Sequence, residues 1–154
     1  MKLTLPGSKE TKTIDVGKNG FLTSLDCGST NNILPKGMVK EVCDHLKGTY
    51  DPDSENCNLD CDLRDKAGGL TFGLNGKEIT MPYSNLIDKY APEGYLPRCT
   101  LSQSNNHNMD AGILGGEFLP VAPSILGGIT TCSRLEANTR KKHSSLSPLR
   151  LRRL

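Results

Sequence analysis

At 154 residues, with 35% hydrophobic residues and a formal charge of +2, the chain has the length of one domain around one buried core. No run of eighteen apolar residues occurs, which excludes a membrane-spanning helix, and the start Met1-Lys2-Leu3-Thr4-Leu5-Pro6 lacks the apolar stretch of a signal peptide. The charge is split: from Pro123 onward seven Lys or Arg face the single acid Glu136, against twelve basic and sixteen acidic residues before it.

In chain order, residues 3–15 read as extended chain, with Thr11, Thr13, Ile14 and Val16 as β-formers. Residues 21–25 read as a strand. Pro35 suits the first position of a helix. Met38, Val39, Val42, Cys43 and Leu46 then share one helical face over about 36–47, with Gly48 ending the helix. Residues 49–58 are polar and turn-rich, a surface loop. Residues 70–74 and 77–81 flank Asn75-Gly76, the strongest short-range hairpin signal present. Residues 82–90 suit a short helix or turn, 91–97 a loop and 102–108 a polar loop, and Ile113-Leu114 begins another strand. The fold class expected is all-β with one amphipathic helix. Residues 120–154 differ in composition: Pro120, Pro123 and Gly127-Gly128 break strands, and Arg140-Lys141-Lys142 with Arg150-Leu151-Arg152-Arg153 make the segment basic. It reads as a disordered solvated tail rather than a specific nucleic-acid or membrane contact.

The chemistry concentrates at Asp26-Cys27-Gly28-Ser29-Thr30, delivered by Phe21-Leu22-Thr23-Ser24-Leu25. A carboxylate at the end of an apolar strand sits at a sharp turn; the glycine lets backbone come close, and the hydroxyl residue after it can donate to the carboxylate. Ordinary Asx-turns share the pattern, so the string alone does not establish catalysis. His45, His107 and His143 fall on helix, loop and tail with no nucleophile at triad spacing. Neither Gly115-Gly116 nor Gly127-Gly128 has the Lys-Ser/Thr of a phosphate loop. Six cysteines allow fifteen pairings if all are oxidised. Cys43 and Cys57 flank a helix end and a polar loop within reach of a bridge worth about 3 kcal/mol, with unpaired thiols as the alternative. Cys57 and Cys61 have metal-ligand spacing, but no second close pair or suitably spaced histidine follows, so no metal site is expected. Cys27 reads as a buried thiol, and Cys132 lies in the tail.

Residues 21–119 resemble the C-terminal lobe of pepsin-like aspartic proteases, most closely the fungal candidapepsin and yapsin branch. That lobe carries Leu-Asp-Ser-Gly-Thr-Thr and then a Leu-Pro; this chain has Leu25-Asp26-Cys27-Gly28-Ser29-Thr30 and Leu34-Pro35. Asp60-Cys61-Asp62-Leu63, Leu70-Thr71-Phe72, Ile79-Thr80-Met81-Pro82 and Arg98-Cys99 follow in the family's order. The closing Ile-Leu-Gly-Asp-x-Phe-Leu is matched by Ile113-Leu114-Gly115-Gly116-Glu117-Phe118-Leu119.

The resemblance implies an aspartic endopeptidase, hydrolysing internal peptide bonds of polypeptides at acidic pH without metal or organic cofactor. Asp26 is then one of two carboxylates sharing a proton, Gly28 and Ser29 hold its geometry, Thr30 lies near the substrate backbone, and Cys61 pairs with Cys99. It places the parent protein outside the cell, secreted or on the surface. The expected organisation is a partial lobe over 1–119, incomplete at both ends, and a divergent tail over 120–154. No second Asp-Thr-Gly or Asp-Ser-Gly occurs in the chain, so the partner aspartate is expected from an N-terminal lobe that these residues do not include, and the chain alone is expected to be inactive. Cys27 for a hydroxyl residue, Gly116 for the family's aspartate, and the loss of the strands after Leu119, which leaves a sheet edge open, count against a competent lobe. Two rivals stand beside the protease reading, the first favoured by Cys27, Gly116 and the missing lobe. One is a non-catalytic peptide-binding module; the other is a truncated gene-model fragment.

Overall fold

The computed structural model describes residues 1–17, 20–26, 28–29, 31–35, 37–74, 76–101, 103–106, 111–116, 118 and 149–150, with backbone alone at 103–106 and 149–150. In chain order the strands β1 (Lys2–Thr4), β2 (Thr11–Thr13), β3 (Leu22–Leu25) and β4 (Asn32–Pro35) precede helix α1 (Met38–His45). Next come β5 (Thr49–Tyr50), β6 (Cys57–Leu59), a 3-10 turn at Cys61–Asp65, β7 (Gly69–Leu74) and β8 (Lys77–Pro82). The helical turn α2 (Tyr83–Leu86) leads into β9 (Ile87–Tyr90), β10 (Arg98–Leu101), β11 (Gln103–Asn106) and β12 (Ala111–Leu114), and β13 (Leu149–Arg150) comes last. Most of the regular structure is strand, as the all-β reading expects.

The strands form three sheets, ordered β2-β1-β7-β8, β5-β6-β10-β9 and β11-β4-β12-β3-β13. The first two are antiparallel throughout; the third is mixed, with β12 parallel to β3 and antiparallel to β4. β7 is buried along its whole length because it lies between β1 and β8. On one of its faces Leu70 stands across from Met81 and Phe72 from Ile79. On the other, the hydroxyls of Thr71 and Thr80 hydrogen-bond at 2.8 Å, which satisfies the polar groups that this strand takes inward.

One core joins the three sheets and α1. Its buried side chains include Leu3, Leu70, Phe72 and Met81 of the first sheet, Met38, Val39 and Val42 of the helix, Leu34 and Leu114 of the third sheet, and Phe118. Phe118 packs edge-on against Phe72 with ring centroids 5.1 Å apart, an arrangement worth about 0.5–1.5 kcal/mol beyond its buried area. Two disulfides are built into this core, with Cys43, Cys57 and Cys99 buried in it and Cys61 packed against it. Cys43–Cys57 ties α1 to β6, and Cys61–Cys99 ties the 3-10 turn to β10.

The elements depart from the sequence reading where pairing partners are remote. Pro35 does not open the helix. It ends β4, whose Ile33 pairs with Ile113 and whose other side pairs with β11. The helix is shorter than 36–47 and starts after Gly37, a left-handed residue (φ 88°) without a side-chain cap. The 49–58 segment is a hairpin of β5 and β6 rather than a free loop; Asp51 closes its turn through the Asp53 N–H and the Ser54 hydroxyl. Within 102–108, residues Gln103–Asn106 form β11 instead of loop. The open edge expected after Leu119 is met for two residues, since Leu149 and Arg150 run antiparallel to Thr23 and Leu22. The rest of 119–154 lies outside the described residues.

Candidate active site

β3 ends where its parallel partner β12 ends, Leu25 standing opposite Leu114. The Asp26 N–H donates to the Leu114 carbonyl at 3.0 Å, which extends the ladder by one rung and fixes the Asp26 backbone at the sheet margin. The chain then doubles back. The Ser29 N–H reaches the Asp26 carbonyl at 3.4 Å, and Asn32 begins β4 on the far side of β12. The 26–31 loop therefore crosses over the end of β12 rather than joining neighbouring strands.

That crossing holds the carboxylate. Asp26 Oδ1 accepts the Gly28 N–H at 2.9 Å and Oδ2 accepts the Ser29 hydroxyl at 2.8 Å. Each oxygen of the half-buried carboxylate thus has a donor from the residues that follow it, and the two contacts together orient the group. Hydrogen bonds to an ionised group are each worth about 1.5–3 kcal/mol. Below the loop, the Gly116 N–H donates to the Ser29 carbonyl at 2.7 Å. A Cβ at Gly115 would lie 2.5 Å from both the Ser29 and Asn31 carbonyl oxygens, so the loop can rest this close to β12 only over glycine. An Asx-turn accounts for the Gly28 contact alone. The interlock of loop and strand is what separates this corner from an ordinary turn.

The structure thus brings together Asp26, Gly28 and Ser29. Cys27 and Thr30 lie outside the described residues, as do His107, Cys132 and His143. His45 is in the last turn of α1. Cys57 and Cys61, the pair with ligand-like spacing, each bond to a different cysteine. Among the described residues no three His, Cys, Asp or Glu side chains are grouped to hold a metal ion. One participant escaped the sequence reading. Asn32 is fully buried, and its Oδ1 accepts the Gly115 N–H at 2.9 Å. Its only mark in the sequence is a polar residue immediately before the apolar pair Ile33-Leu34.

A family model for eukaryotic aspartyl proteases matches residues 5–125. The chain belongs to that family. The match takes in the Asp26 loop, both disulfides and the Gly115-Gly116 corner, and it starts ahead of β2, earlier than the motifs alone mark. None of the curated proteins matches the chain. Membership of the aspartyl proteases makes a polypeptide the substrate class. Among the described residues no helix is long and apolar enough to cross a membrane.

Proposed function

We propose that this chain is the C-terminal lobe of an acid endopeptidase of the candidapepsin and yapsin type, with Asp26 as one of its two catalytic carboxylates. The observation that carries the reading is the carboxylate fixed by the Gly28 N–H and the Ser29 hydroxyl over the Gly115-Gly116 strand end, in a chain of aspartyl-protease sequence. In the reaction two carboxylates share one proton, because like charges in contact cannot both ionise cheaply. The ionised carboxylate takes a proton from a water as its oxygen attacks the peptide carbonyl carbon; the other gives its proton to the carbonyl oxygen. The resulting gem-diol collapses as a proton passes to the departing amide nitrogen, and the carbon–nitrogen bond breaks. Water and two carboxylates suffice. Thr30 would lie along the substrate backbone.

These 154 residues hold one such loop, so hydrolysis calls for a second carboxylate from another lobe. The chain by itself is inactive on this reading. Two disulfides support a parent that works in an oxidising, extracellular setting. The second reading, a non-catalytic peptide-binding module, is favoured by Cys27 and Gly116, which replace polar residues of the family motif. The deciding experiment is hydrolysis of a denatured polypeptide at acid pH by the protein from its native source, with and without Asp26→Asn. Acid-dependent cleavage that vanishes in the variant is the expected result. Cleavage that survives Asp26→Asn removes Asp26 from the mechanism, and wild-type protein without cleavage at any acid pH leaves the binding module.

A further inference from the structure

Asn32 is a buried polar side chain for which neither the motif nor the fold class has a use. It begins β4, asparagine is a poor strand former, and it is 0% exposed, so its amide must be hydrogen-bonded to be tolerated there. Its partner is informative. Leu114 is the last residue of β12, and the next N–H, that of the buried Gly115, leaves the ladder with no strand among the described residues to pair with. Asn32 Oδ1 accepts it at 2.9 Å. An N–H can be met only by an acceptor, so the carbonyl end of the amide must face Gly115. The NH2 end faces the Met81 sulfur at 3.8 Å, a weak acceptor that adds little hold.

We propose that Asn32 is a positioning residue for Asp26, acting through the Leu114–Gly116 backbone. Gly115 is pinned by Asn32. On either side of it, the Leu114 carbonyl accepts the Asp26 N–H at 3.0 Å and the Gly116 N–H holds the Ser29 carbonyl at 2.7 Å. Ser29 in turn gives its hydroxyl to Asp26 Oδ2 at 2.8 Å. The strand end therefore touches the carboxylate residue from two directions, through its backbone and through Ser29, and one buried amide sets where that strand end lies. The bland account, that Asn32 merely satisfies an orphan N–H, assigns it no effect on the carboxylate.

This inference rests on Asp26 as the catalytic carboxylate only for its consequence in turnover; the positioning itself is read without activity. The experiment is amide hydrogen exchange and a carbon-13 titration of the Asp26 carboxyl by NMR, on the whole chain and its Asn32→Leu variant. In the variant, exchange at Gly115 and Gly116 rises about 10- to 100-fold, as loss of one buried hydrogen bond predicts, while β7 and β8 amides keep their rates. The Asp26 titration midpoint or its carboxyl shift moves with it. An Asp26 titration identical to wild type overturns the proposal, and so does acceleration spread evenly over the core. If Asn32→Leu does not fold, Asn32→Ser takes its place with the same two readouts: an Asp26 carboxyl signal that moves together with faster Gly115 exchange supports the positioning, and faster Gly115 exchange with an unmoved Asp26 signal overturns it. Hydrolysis retained by Asp26→Asn would end the catalytic reading without altering either NMR result, so the two fail separately.

Discussion

Ser29 serves Asp26 through two atoms. Its hydroxyl donates to Oδ2, and its carbonyl is held from below by Gly116, so the side chain has a fixed origin from which to reach the carboxylate. Ser29→Ala removes the first contact and leaves the second. At about 1.5–3 kcal/mol for a hydrogen bond to a charged group, kcat/KM for peptide hydrolysis by the two-lobed parent protein should fall about 10- to 100-fold. The melting temperature should scarcely move, because Ser29 is only partly buried. Ser29→Thr keeps the donor and should keep most of the activity. Equal kinetics for Ala and Thr would show that the hydroxyl does not shape the carboxylate. At this scale the sequence was informative where chemistry is local. The string Asp26-Cys27-Gly28-Ser29 announces its own turn, since each contact spans two or three residues. Asn32 was illegible because its partner, Gly115, is far along the chain and becomes a neighbour only when β4 and β12 pair.

The same division between local and remote runs through the elements. Helix α1 was legible in its centre, where Met38, Val39, Val42 and Cys43 repeat at helical spacing and are all buried. The β7–β8 hairpin was legible because Asn75-Gly76 marks its turn. β4 and β11 were not. Gln103-Ser104-Asn105-Asn106 contains no β-former, and only the free edge of β4 draws it into a strand. The helix end shows how a plausible local rule can pick the wrong residue. Glycine commonly takes the left-handed position after a helix, but here Lys47 has φ 58° and Gly48 follows it. Gly48 N–H bonds to the Cys43 carbonyl and Lys47 N–H to the Asp44 carbonyl, the pair of contacts that closes a helix of this type. Gly48 is required for space, since a Cβ there would lie 2.6 Å from Cys57 Sγ and 2.7 Å from Leu59 Cδ2. Lys47→Gly should therefore stabilise the chain by about 0.5–1 kcal/mol in urea denaturation, through relief of left-handed strain. Gly48→Ala should destabilise it. A destabilised Lys47→Gly would mean that the lysine contributes a contact outweighing its strain.

Over the whole molecule, the acid setting proposed for this protease bears on stability through a carboxylate remote from catalysis. Asp88 lies on β9, partly buried, and loss of solvation raises its pKa above the ordinary 3.8; the Arg64 guanidinium opposes this without cancelling it. That guanidinium is committed to the Ser84 carbonyl, with Nε and Nη2 at 3.2 and 3.1 Å. The folded chain therefore binds the Asp88 proton more tightly than the unfolded chain does. By linkage, this contribution to stability is fully present below the unfolded pKa and is lost as pH rises through the folded one. Glu10 and Asp51 have the opposite sign. The ammonium of Lys12 lowers the first, and the Ser54 hydroxyl with the Asp53 N–H lowers the second, so their contributions are lost as pH falls. Both carboxylates sit at the surface, where solvent and salt weaken such terms. Asp88 is the one whose charge must form against burial. Asp88→Asn should raise the melting temperature near pH 7 and leave it little changed at pH 3, which flattens the decline between them. The check is a series of thermal unfolding curves across that range. An Asp88→Asn profile parallel to the wild type would place the pH response elsewhere and leave Asp88 a solvated surface acid.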